Sequence, residues 1–175
     1  DDTPRLVGVA LERTRRLVLG VAAVLGALSV AAVGVVGFVG KFIASKGVHH
    51  LLAALPLLSV PDLHAVIVGY GGFETGLAAL WAALATGDLA EARALAARGE
   101  HGDGLADLSA FLDSVAADPG YLERARRVTV GFPGRLEHGP LAEVLPTFDV
   151  LVVPSVVAEA FGMVAAEGAA CGVLP

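Results

Sequence analysis

Apolar residues gather in consecutive runs at four places along the chain: residues 33–39 (VGVVGFV), 64–68 (HAVIV), 128–132 (VTVGF) and 150–153 (VLVV). Runs of this kind, in place of a strict apolar–polar alternation, are the pattern of parallel strands covered on both faces. Pro154 closes the last run, because proline has no N–H to give to a ladder. Between the runs, apolar positions recur with a helical period. This predicts helices over residues 46–58, 73–85 (with Trp81 and its neighbouring leucines in the core), 141–145 and 161–170, the last of them stopped by Gly172. Residues 87–120 form a longer helical excursion, broken by a glycine-rich gap at Gly102 and Gly104, and their periodicity reads as surface packing and not as a site. Strands alternating with helices give an α/β fold, a Rossmann-like parallel sheet with helices on both faces.

Nearer the start the pattern changes. Residues 17–40 carry no charge, are long enough to cross a bilayer, and follow Arg13, Arg15 and Arg16 as a membrane segment follows its flanking charges. Their Ala, Gly and Val content and their strand-like end favour a short buried helix at 17–28 that leads into the strand at 33–39. A membrane-spanning segment is the alternative. The expected organisation is therefore a linker and apolar segment over 1–32 and one folded unit over 33–175.

Composition narrows the function. The formal net charge is −6 and no basic stripe is present, which argues against nucleic acid as a partner, since such binding rests on Lys and Arg contacts to phosphate. Cys171 is the one cysteine, so no internal disulfide forms and a reducing, cytoplasmic location is expected, with peripheral membrane association as the alternative. His49, His50, His64, His101 and His138 lack the spacing of a metal centre, so no metal is expected. Arg124, Arg126 and Arg127 read as a solvated helix end. The chain has two lysines, Lys41 and Lys46, and both fall in the short loop after the first strand. In so lysine-poor a background that pairing carries information.

In a parallel sheet the ligand sits at the carboxyl ends of the strands. The loops there contain Lys41 and Lys46, then Gly71 and Gly72, then Arg135 and Leu136, and finally Glu159. The glycine-rich turn VGYGGFETG is a weak nucleotide signal, because Glu74 takes the third glycine position of G-x-G-x-x-G, and Leu77 and Ala78 replace the Lys and Ser/Thr of a P-loop. The last loop is stronger. Glu159 stands at a helix entrance, Glu167 lies about two turns further on, and Gly162 lets a ligand approach the first-turn N–H groups, as suits a sugar or phosphate.

The stretch EAFGMVAAEGAACG, in which Glu159 and Glu167 are separated by seven residues, resembles the E-x7-E signature of the retaining, GT-B-fold glycosyltransferases of family 4. GFVGKFIASKGV is similar to a second family motif, a Gly-Arg or Gly-Lys pair followed five residues later by Lys-Gly, and GRL at 134–136 to a third. GVALER at 8–13 is similar to the segment that leaves the family's first domain, with Ala10 where the family has aspartate. The resemblance covers about residues 35–175 and implies the donor-binding half of a metal-independent enzyme that takes a nucleotide-diphosphate sugar as substrate and needs no cofactor. It implies that Glu159, Ala160, Phe161, Gly162 and Met163 hold the donor sugar, with Glu159 and Lys46 as catalytic residues. Lys41 and Lys46 would neutralise the diphosphate, Glu167 would accept hydrogen bonds from the ribose, Arg135 and Leu136 would flank the base, and Gly71 would lie along the cleft. The resemblance further implies an acceptor-binding domain before residue 1 and further elements after residue 175. The chain alone is then expected to bind the donor weakly without transferring it, and to expose a sheet edge that favours association.

Overall fold

The computed structural model describes residues 34–157 and 162–175. The linker expected over 1–32, its helix at 17–28, and Glu159, Ala160 and Phe161 lie outside the described residues. Four strands, β1 (Val35–Lys41), β2 (His64–Tyr70), β3 (Thr129–Gly134) and β4 (Val150–Leu151), form one parallel sheet in the order β3-β2-β1-β4. Seven α-helices accompany them among the described residues: α1 (Val48–Ala54), α2 (Glu74–Thr86), α3 (Leu89–Arg98), α4 (Ala106–Ser114), α5 (Pro119–Ala125), α6 (His138–Val144) and α7 (Met163–Ala170). The fold is α/β and Rossmann-like.

Both faces of the sheet are covered, and the strand residues divide between them by alternation. Val36 and Phe38 of β1 and Ala65 and Ile67 of β2 join the larger core with Leu51 and Leu52 of α1, Leu77, Leu80, Trp81 and Leu84 of α2, and residues of α3, α4 and α5. Val35 and Val39 of β1 and Val66 and Val68 of β2 face a smaller core made with Leu141 and Val144 of α6, Val164 of α7, and Phe148. The two faces answer the consecutive apolar runs of the sequence. On the second face Phe148 lies flat over β1 at Gly37, where an added Cβ would come within 2.0 Å of its ring. The next residue, Asp149, fixes the start of β1: its Oδ2 accepts from the N–H groups of Gly34 and Val35 at 2.9 and 2.8 Å.

Several boundaries differ from those expected. β1 continues past residue 39 to Lys41, and Gly40 does not turn the chain but pairs with Gly69 of β2. An added Cβ on Gly69 would lie 1.9 Å from the Gly40 oxygen, so glycine here permits close strand contact. Because Val35–Lys41 is the centre of the sheet, residues 17–40 are not one membrane-spanning helix, and among the described residues no helix is long and apolar enough to cross a membrane. β3 reaches Gly134 and carries Pro133 with a register irregularity opposite Val66 and Val68, a proline position that an edge strand tolerates. β4 is cut to two residues, although Val152 N–H still reaches Gly37 C=O at 2.8 Å. Its outer edge is not bare: Leu151 N–H donates to Leu174 C=O at 2.8 Å. The α7 helix ends as its sequence suggests, with Gly172 at φ 80° and Val173 N–H returning to Gly168 C=O at 2.9 Å.

Candidate functional site

Strand order determines where a ligand can sit. From β1 the chain steps to β2 and β3 on one side, and then crosses to β4 on the other, which makes the carboxyl ends of β1 and β4 the switch point where an open parallel sheet has its ligand crevice. Two loops form its walls. The first leaves β1 at the exposed Lys41, buries Phe42, makes a short 3-10 turn at Ala44–Lys46, and enters α1 through Gly47 at φ 69°. The second leaves β4 through Val152, Val153 and the buried Pro154.

The two loops are fastened together. Val156 N–H donates to Ser45 C=O at 2.9 Å, and an added Cβ on Gly47 would fall 2.1 Å from the carbonyl oxygen of Pro154. Positive φ and this close approach both require glycine at position 47. Lys46, partly buried, is thereby held one residue from the contact, while Lys41 stands in the open at the strand end.

The other predicted residues lie as follows. Gly71 packs on the main chain of Phe42, whose oxygen would be 2.4 Å from an added Cβ, and Phe73 N–H donates to that same oxygen at 3.2 Å. Its lack of a side chain thus has a packing cause. Arg135 follows β3, pairs with Glu137 at 3.2 Å, and lays its guanidinium 5.1 Å from the centroid of the Tyr70 ring. Leu136 packs into the smaller core. Gly162 takes φ 54° ahead of α7, Met163 is 66% exposed on the first turn, and Glu167 lies partly buried one turn beyond, on the same helix face. Lys41 and Lys46 therefore belong to the end of β1 and the loop after it, Gly162, Met163 and Glu167 to the start of α7, which packs on Leu151 of β4 through Gly168, and Arg135 and Gly71 to the neighbouring strand ends.

Three features were not read from the sequence. The α3–α4 turn, expected to be surface packing, brings the Glu100 carboxylate onto the N–H of Ala44 at 2.5 Å. The glycine-rich gap was its visible trace, but nothing in a local pattern points across 56 residues. Tyr70 is the second, the register partner of Lys41 and 44% exposed. The third is the pair His49 and His50, with ring centroids 4.0 Å apart. His49 Nδ1 and His50 Nε2 are buried without a hydrogen-bond partner. Burial, and then the neighbouring His50, hold His49 down at about 3; burial also lowers His50, opposed by the Asp107 carboxylate. Both rings are neutral at ordinary pH and support the base of α1 just behind the lysine loop.

The arginine cluster is structural. Arg124 donates to Pro56 C=O at 2.6 Å and pairs with Asp118 at 2.7 Å, and Arg126 and Arg127 pair with Glu123. Among the described residues no three His, Cys, Asp or Glu side chains are grouped so that they could hold a metal ion. No family model, no curated protein and no solved structure matches the chain.

Proposed function

We propose that the crevice between β1 and β4 binds a nucleotide-diphosphate sugar and that the chain is the donor-binding half of a retaining glycosyltransferase of GT-B type. The observation that carries this reading is the fastening of the Lys41–Lys46 loop to the β4 loop at the point where the sheet's connections diverge. The loops that precede the two motif helices, more than a hundred residues apart in sequence, thus touch through Gly47 and Pro154 and through Ser45 and Val156, which supports a shared ligand for the motif residues. In this reading the Lys41 and Lys46 ammonium groups face the diphosphate. That group gains negative charge as the glycosidic bond breaks, so fixed cations stabilise the transition state more than the ground state. Glu167 accepts from the ribose hydroxyls, Arg135 and Leu136 flank the base, and Glu159 with Ala160, Phe161, Gly162 and Met163 holds the sugar. Transfer requires an acceptor-binding domain opposite the crevice, and this chain alone binds without transferring.

Thermal unfolding of the purified chain with uridine, guanosine and adenosine diphosphates and their sugars tests the reading. One nucleotide at about a hundred times its dissociation constant should stabilise the fold by about 2.7 kcal/mol. The effect should disappear in Glu167→Ala and in the double variant Lys41→Ala/Lys46→Ala. A cooperative transition that none of these ligands moves would overturn the proposal.

A further inference from the structure

The turn between α3 and α4 reaches across to the loop that follows β1. Gly99 closes α3 at φ 57°, and an added Cβ there would lie 1.8 Å from the Asp103 oxygen. Glu100 and His101 follow, His101 itself at φ 55°, a conformation few non-glycine residues adopt, and then Gly102 at φ 91°. The turn is pinned by Asp103 N–H on Glu100 C=O at 3.0 Å and tied back to α3 by Leu105 N–H on Ala96 C=O at 2.8 Å. Its product is the placement of one side chain. The Glu100 side chain is 14% exposed, and its Oε2 accepts from Ala44 N–H, in the loop between Lys41 and Lys46.

The other acidic side chains that cap backbone N–H groups in this excursion act locally and at the surface. Asp88 accepts from Glu91 N–H and Asp118 from Gly120 N–H, each within three residues. Glu100 instead crosses 56 residues to bring a carboxylate to the loop after β1. A backbone N–H donates to carboxylate or phosphate oxygens alike, and a neutral acceptor would serve a purely structural tie with less desolvation. We propose that Glu100 is a tethered competitor for the ligand's anionic group. It occupies the Ala44 N–H in the unliganded chain, and a phosphate-bearing ligand displaces it and lifts the Gly99–Asp103 turn from the crevice. The proposal rests on the anion-binding reading of the β1 loop. Because the carboxylate is attached to the fold, its effective concentration is high, and a dianionic or more highly charged ligand displaces it where a weaker anion does not.

The test is titration of the full chain and of Glu100→Gln and Glu100→Ala with inorganic pyrophosphate. Calorimetry gives the affinity, and the Ala44 amide resonance is followed by NMR. Glu100→Gln retains an acceptor oxygen and nearly the same shape, so it removes the charge even if Glu100→Ala disturbs the turn. Expected is pyrophosphate affinity about tenfold higher in both variants. In the unsubstituted chain the Ala44 resonance should move, on saturation, to the position it takes in the liganded variants. Pyrophosphate binding with affinity unchanged or reduced in Glu100→Gln would overturn the competitor and leave the anion site standing. No pyrophosphate binding by any of the three overturns both.

Discussion

Gly47 and Pro154 approach so closely that an added Cβ on the glycine would stand 2.1 Å from the proline's carbonyl oxygen. They belong to the two loops that flank the crevice, and the neighbouring Val156–Ser45 hydrogen bond at 2.9 Å depends on that approach. Gly47→Ala combines a left-handed backbone with a clash against main chain that cannot rotate away. The expected loss is about 2–5 kcal/mol, from roughly 1–2 for the backbone and 1–3 for overpacking. Gly139→Ala is the matched control, since Gly139, in the first turn of α6, is not at positive φ and has nothing within 4 Å of an added Cβ. That change should be neutral or stabilising by up to about 1 kcal/mol. Urea unfolding of the two variants measures both, and equal effects would show that the loops are not coupled through Gly47.

The contrast between these glycines shows what the sequence could and could not reveal. Consecutive apolar runs located all four strands, because burial on both faces leaves a mark in the residues themselves. The strand ends were less legible. Gly40 and Gly69 look like turn residues, yet they pair side by side in the sheet, and only the approach of two backbones explains them. Lys41 and Lys46 were readable as neighbours in one short segment, although Lys41 closes β1 and Lys46 lies in the loop beyond it. Glu100 was not, because its partner Ala44 is reached through the packing of α3 and α4, which no local period encodes. For the same reason, the apolar residues of α1 predicted a helix but gave no sign that the His49 and His50 rings would meet, tilted, at 4.0 Å.

Acid should destabilise the fold through those histidines. His49 titrates near 3 in the folded chain, against 6.5 for the ordinary side chain, and His50 is shifted in the same direction. The unfolded chain therefore binds protons below about 6.5 that the folded chain does not, so stability is present above that pH and falls as pH decreases. For His49 the loss between pH 6.5 and 5 is on the order of 2 kcal/mol. Asp118, lowered chiefly by its hydrogen bond to Arg124, acts in the same direction but in the more acidic carboxylate range. His49→Leu removes the titrating ring together with its unpartnered Nδ1, so urea midpoints at pH 7 and 5 should lie closer together in this variant. An undiminished gap would place the acid sensitivity elsewhere.

Tyr121 ties α5 to α1 from inside the core. Its ring is fully buried and packs edge-on to Phe111 at 5.9 Å, and its hydroxyl donates to Ala53 C=O at 2.8 Å. Burial pushes the phenol well above its ordinary range, so it does not ionise while the fold persists. Tyr121→Phe keeps the ring and leaves the Ala53 oxygen without that donor, for an expected loss of about 1–3 kcal/mol. Tyr121→Ala removes the ring as well and should lose roughly 3–5 kcal/mol. Chemical unfolding of the two variants separates hydrogen bond from packing, and a Phe variant as unstable as the Ala variant would contradict the division.

The two lysines should not contribute equally to ligand binding. Lys41 is exposed at the end of β1, where solvent and salt screen its charge, whereas Lys46 is partly buried beside the fastened Gly47. A charge-assisted contact in the less hydrated position is worth about 1.5–3 kcal/mol, against roughly 0–1 for an exposed ion pair. Lys46→Ala should therefore weaken binding of a nucleoside diphosphate by about 10- to 150-fold, and Lys41→Ala by no more than about fivefold, with the smaller effect vanishing first as salt is raised. Lys46→Arg should recover only part of the loss, since a planar fork replaces a compact charge. Dissociation constants measured at two ionic strengths decide the matter. A larger loss at Lys41 than at Lys46 would mean that the ligand's charge lies over the sheet end and not against the joined loops.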